Sequence, residues 1–200
     1  MDIIGKIVKS NSHIDYVCQV FSAGEVAPVP SPTAYAFGAF MAIQLEEGGA
    51  PAGELIAVVY NTQLMNPDFG NYGPRLSSRA DLEIFSPDYL LETATLLGLL
   101  AIGYVDRTGR VVQGVPAPAS MVNATVRSLS VQEFERFHRT PAGQLSLRYV
   151  PVLLGQQNPL VAPLLLDILA RLEAIFPAEV DRLTVMRNNL AWRRMVAPAG

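Results

Sequence analysis

Lys6 follows Gly5, and a glycine-lysine pair is the centre of the phosphate-binding loop G-x-x-x-x-G-K-[ST], whose ammonium reaches the terminal phosphates of a nucleotide. The rest of that pattern is missing. No glycine precedes Gly5, Ile7 stands where Ser or Thr is required, and Lys9 is the only other lysine in the chain. Cys18, His13 and Asp15 suggest either a thiol-imidazole pair or a small metal site. A reactive thiol needs a lowered pKa and partial exposure, whereas Cys18 shares the predicted face of Ile14 and Val20, which points to a buried, structural cysteine. With two histidines, His13 in a turn and His138 at a helix end, a histidine-rich metal site cannot be assembled. No acidic cluster has the spacing of an oxygen-ligand site, and Glu46-Glu47 beside Gly48-Gly49 reads as a solvated hairpin tip. The expectation is no catalytic residue, no metal and no cofactor.

Binding chemistry is better represented. Phe69, Tyr72, Arg75 and Arg79 stand in a glycine- and proline-punctuated stretch, residues 61–81, and combine the aromatic and arginine types that dominate binding hot spots. Arg187, Arg193 and Arg194 crowd the C-terminus and could meet phosphate, although complementing a helix end is the simpler role.

The elements that must position these residues can be read from periodicity. Residues 3–9 and 14–21 form two strands joined by a polar turn, with Ile14, Tyr16, Cys18 and Val20 on one face. Residues 23–32, with Pro28, Pro30 and Pro32, are an extended connection. Strands are expected over 35–45 and 54–60, the second an unbroken apolar run of the kind buried on both faces. Ser86-Pro87-Asp88 starts a helix to about residue 97, followed by strands over 99–105, 110–113 and 121–126. Ser130-Val131-Gln132-Glu133 is a capping box opening a helix to His138, and residues 145–154 read as a further strand. Leu160, Leu164, Ile168, Leu172 and Ile175 recur at helical spacing, Pro177 breaks the run, and a last helix covers 178–196.

Two hundred residues suffice for a real core. Apolar residues reach 50% and charged ones only 16%, against a norm of about 25%, which favours exposed apolar patches and self-association. The net charge of -3 argues against nucleic-acid binding over a broad face but allows a local basic patch. No export leader or membrane span is expected, and a single cysteine fits a reducing, cytoplasmic setting.

The opening I-G-K-I-V hairpin, the strand Gly-Glu-Leu-Ile-Ala-Val-Val at 53–59, the block Leu100-Ala101-Ile102-Gly103-Tyr104-Val105-Asp106 with Gly109, Pro116 and Pro118, and the capped helix at Ser130 follow one another in an order that resembles the HAS barrel. That barrel is shared by HerA-type DNA translocases and rotary ATP synthase subunits, and the resemblance covers roughly residues 2–138. In the HerA-type family a motor with a lysine-bearing phosphate loop follows. Here Gly155 leads to Gln156-Gln157-Asn158 and no lysine occurs after Lys9, so only the barrel and its tendency to form rings are implied.

The expected fold is mainly β with α: a small Greek-key-like barrel over residues 1–155 with inserted helices, and a helical hairpin over 156–200. The expected function is a non-enzymatic module for homo-oligomeric assembly or partner binding, with a motor ATPase as one protein partner and no membrane. A nucleic-acid-contacting accessory of a DNA-processing complex is the first alternative. An enzyme with a subunit-interface site in the 61–81 segment is the second.

Overall fold

The computed structural model describes residues 2–66 and 93–196. Among the described residues seven strands form one antiparallel sheet: β1 (Ile3–Ser10), β2 (Asp15–Val20), β3 (Phe40–Glu47), β4 (Ala50–Met65), β5 (Ala94–Asp106), β6 (Val111–Gln113) and β7 (Thr125–Ser128). Six close into a barrel in the order β1, β7, β3, β4, β5, β2 and back to β1, and β6 is an extra strand on β5. The latest strand in the chain, β7, is thus inserted between β1 and β3, so the barrel is not a simple meander.

Strand alternation fills the barrel. Ile4, Ile7, Tyr16, Cys18, Val20, Met41, Ile43, Leu55, Leu97, Leu99 and Val126 point into one apolar interior. The opposite faces of β3, β4 and β5 carry Phe40, Ala42, Ile56, Val58, Leu100 and Ile102, which lie under helices. Three strands are therefore covered on both faces, the reason the run at 54–60 has no polar alternation. Gly5 serves this architecture, not a phosphate loop: a Cβ there would overlap the backbone carbonyl oxygen of Gln19 on β2. Only glycine permits that approach of β1 to β2.

The helical layer comprises α1 (Val131–Phe137), α2 (Val150–Leu154), α3 (Val161–Ile175) and α4 (Val180–Val196). Helix α1 begins at the predicted capping box: Ser130 Oγ accepts from the Glu133 amide, and the Glu133 carboxylate accepts from the Ser130 amide at 2.8 Å. One face of α3, with Val161, Leu164, Leu165, Ile168, Leu169 and Leu172, is buried against the barrel's outer wall, and Leu183 of α4 packs into the same cluster. Rings tie the layers together. Phe40 of β3 meets Phe134 of α1 edge to face at 4.7 Å, and the Arg171 guanidinium of α3 stacks 4.7 Å above Phe134. No helix among the described residues is long and apolar enough to cross a membrane.

Five expectations about elements are corrected. Residues 145–154 are not a strand: Leu145 makes one isolated bridge with Arg139, and 150–154 are helix α2, with Pro151 in its first turn. A short apolar run has the same pattern whether it becomes a buried strand or a buried helix, and proline favours a helix start. Of the helix expected from Ser86-Pro87-Asp88 to about residue 97, residues 86–92 lie outside the described residues, and Ala94 to Leu97 begin β5, where pairing with β2 and β4 outweighs local propensity. Residues 121–124 are turns, because Asn123 takes φ 69°, and the strand runs over Thr125–Ser128. Residues 35–39 are not strand either: Pro32–Tyr35 is a 3-10 turn capped by Ser31, and Gly38 at φ 80° precedes β3. Residues 61–65 of the expected 61–81 loop belong to β4.

Candidate functional site

Phe69, Tyr72, Arg75 and Arg79 lie outside the described residues. Arg187 donates to the Glu173 carboxylate at 2.7 Å, so it is tied to α3. Arg193 and Arg194 continue the backbone of α4, and their side chains are outside the described part. Lys6 and Lys9 are exposed on β1.

The Cys18 cluster separates in three dimensions. Cys18 points into the barrel, fully buried, and burial pushes its thiol up to about 12. His13 donates from Nε2 to the Pro116 carbonyl at 2.7 Å. Asp15 lies on the other face of β2, where its carboxylate accepts from Tyr60 Oη at 3.0 Å and from Asn11 at 3.1 Å. Burial first, then the Asp15 carboxylate, pushes the Tyr60 phenol up to about 12, so it stays a hydrogen-bond donor. Among the described residues no group of three or more His, Cys, Asp or Glu could hold a metal ion.

His138 has the most perturbed imidazole environment and is nevertheless built into the core. It is fully buried, and desolvation lowers its pKa to about 4, so the ring is neutral. Its Nδ1 lies 2.7 Å from the Phe134 carbonyl oxygen, which can only accept, and its Nε2 lies 2.8 Å from Tyr149 Oη. Nδ1 therefore carries the proton and Nε2 accepts from tyrosine. Both nitrogens are engaged and no face reaches solvent, so this pair orients α1 against α2.

Arginine chemistry collects instead on the surface between the β5–β6 turn and α1. The turn is shaped by Asp106, whose carboxylate accepts from Thr108 Oγ1 at 2.6 Å, the Thr108 amide at 2.8 Å and the Arg110 amide at 3.0 Å. The Thr108 hydroxyl above all, and the Arg110 amide after it, hold this carboxyl below its ordinary range. On α1 and its C-terminal end, Gln132, Glu135, Arg136 and Arg139 recur at helical spacing and face the turn. Arg136 donates to the Gly109 carbonyl, and Arg139 donates to Glu135 from both Nε (2.9 Å) and Nη2 (2.6 Å). Arg148 lines the same groove, whose volume is about 770 Å³.

Beneath it, Arg127 of β7 is clamped by two carboxylates. It donates to Glu54 through Nε at 2.8 Å and Nη2 at 2.6 Å, and to Glu133 through Nη1 at 3.1 Å and Nη2 at 2.8 Å. Burial raises the Glu133 pKa, but Arg127 and Ser130 together outweigh it and hold the carboxyl low. This triad spans β4, β7 and α1, and its residues line a cavity of about 60 Å³ floored by Ile56, Val105 and Phe137.

A second surface is apolar. Residues 114–124 form a strap across the end of β1 and β2, pinned by His13 to Pro116, by the Ser120 amide to Tyr16 Oη, and by the Asn123 amide to the Ile7 carbonyl. The strap leaves Val115 61%, Met121 60% and Val122 65% exposed.

The arginines of the groove come from positions 110, 136, 139 and 148, none of which the sequence singles out. The only local signal is the helical spacing of Arg136 and Arg139 after the capping box. The family model of a domain of unknown function, DUF8166, matches residues 2–199. No curated protein matches the chain.

Proposed function

The chain belongs to the DUF8166 family, and for it we propose a non-enzymatic role as an assembly module, a closed barrel that associates with further copies of itself through the apolar strap at residues 114–124. One observation carries this reading: three large apolar side chains, Val115, Met121 and Val122, are more than half exposed on a segment tied to the barrel by hydrogen bonds at Pro116, Ser120 and Asn123. Met121 and Val122 are neighbours in the chain and line one pocket, and exposed apolar side chains grouped in this way mark an interaction site. A charged fraction of 16% leaves little to oppose association. Cys18 and His138 are sealed in apolar cores and take no part in this surface.

The resemblance to the HAS barrel supplies a setting for this role: a ring-forming barrel whose protein partner is a motor ATPase on a separate chain. Sedimentation velocity at micromolar concentration tests the assembly. The expected result is an oligomer that the Met121→Asp/Val122→Asp double variant converts to monomer with the circular dichroism spectrum of the parent chain. A native chain that sediments as a monomer overturns the proposal.

A further inference from the structure

The arginine groove asks for a ligand of its own. Arg110, Arg136, Arg139 and Arg148 converge on it from three separate stretches of chain, with Glu135 in the lining and the Asp106 carboxylate in the turn beside it, so four positive charges less two leave +2 on a chain of net charge -3. Two of the four are not used by the fold. Arg148 has no side-chain partner among the described residues, and the Arg110 guanidinium does no more than pull on the Asp106 carboxylate, which is already turned into its own backbone. Arg136 and Arg139 are held in place by Gly109 and Glu135, so their planar forks are positioned in advance. Thr140 Oγ1 accepts from the Gln144 amide and keeps its own proton to donate.

We propose that this groove binds the phosphodiester backbone of a nucleic-acid duplex without reading its bases. Guanidinium forks match phosphate oxygens two at a time, and a row of them matches a chain of phosphates. The groove is open and about 770 Å³ in volume, which suits a polymer passing along it better than a small molecule that needs enclosure. Among the described residues none that lines it is aromatic, so these residues offer no platform for the stacked bases of a single strand. This inference is independent of assembly through the strap, which involves other residues.

The test is the salt dependence of binding of a fluorescein-labelled duplex to the full chain by anisotropy. Two unengaged and two partly engaged arginines amount to about three neutralised phosphates, so log K should fall with log salt at a slope of about -2.7, a loss of about 40-fold from 50 to 200 mM. Arg110→Gln and Arg148→Gln should each reduce the slope by about 0.9, and the double variant should leave about -0.9. The Arg110→Lys/Arg148→Lys variant, which keeps the charges, should retain the full slope and guards against a loss that merely reflects unfolding. Absence of binding at low salt overturns the proposal. So does an unchanged slope in the double glutamine variant, or an equal effect of Arg187→Gln. Displacement of the duplex by inorganic triphosphate at a lower phosphate concentration than unlabelled duplex would identify a site for a compact anion, and would also overturn it.

Discussion

Replacing Gly5 by alanine adds a single methyl group to β1 and tests how closely the barrel is drawn together. Gly5 is paired with Val20 across the β1–β2 ladder, and the new Cβ would occupy the space of the Gln19 carbonyl oxygen, with Cys18 Sγ 3.0 Å away. The obstacle is backbone, so no side-chain rotation relieves it; the two strands must separate, loosening the ladder on which barrel closure depends. Overpacking of this kind costs about 1–3 kcal/mol, and the upper end applies where backbone must move. For a chain of this length about 3 kcal/mol corresponds to a fall of roughly 6–12 °C in thermal midpoint. The same substitution elsewhere provides the controls. At Gly49, with φ 80° and nothing within 4 Å, alanine should cost only the left-handed backbone, about 1–2 kcal/mol. At Gly155, with φ -74° and its nearest neighbour 3.4 Å away, it should be neutral or stabilise by about 0.5 kcal/mol. Differential scanning calorimetry of the three variants should order them Gly5, Gly49, Gly155 from least to most stable. A Gly5→Ala midpoint equal to that of Gly155→Ala would refute the close approach of β1 and β2.

Three further outcomes follow from buried groups. Arg127→Met should cost about 2–3 kcal/mol at neutral pH, below the figure for fully buried pairs because the triad is about a quarter exposed, by leaving Glu54 and Glu133 without their shared cation. Because the Glu133 pKa is depressed in the fold, its contribution is present above about pH 4.3 and lost as pH falls through the folded pKa; urea midpoints of parent and variant should therefore converge in acid. His138 titrates near 4 in the fold and near 6.5 when unfolded, so the unfolded chain takes up the proton first and the fold should lose about 3 kcal/mol as pH falls from 6.5 to 4, while its imidazole proton resonances should stay flat from pH 8 to 5; a midpoint near 6.5 would contradict the buried Tyr149 pair. Cys18 should resist Ellman's reagent at pH 8 until denaturant is added, and rapid reaction of the native chain would contradict its place inside the barrel.

Several elements could be read directly because their signals are local. Alternation at Ile14, Tyr16, Cys18 and Val20 identifies β2 and already assigns Cys18 to the buried face, and the uninterrupted run at 54–60 announces a strand covered on both sides. The capping box at Ser130 and Glu133 marks the start of α1, and the spacing of Leu164, Ile168 and Leu172 marks the buried face of α3. Residues 94–97 and 145–154 could not be read the same way. Their apolar content suits either a helix or a strand, and the choice was made by the partners available: two neighbouring strands for Ala94 to Leu97, a helical layer for Val150 to Leu154.

What the amino-acid order alone determined is a mainly β chain with a late helical segment, without a phosphate-loop lysine and with a thiol destined for the core. Those properties follow from residue type and from spacing along a single strand or helix. Barrel closure by insertion of β7 between β1 and β3, the Arg127 clamp reaching Glu54 across 73 positions, and the meeting of Arg110, Arg136, Arg139 and Arg148 in one groove were decided only by tertiary structure. The physical reason is that charge and shape complementarity act through space, between groups that chain separation leaves uncorrelated until the barrel closes.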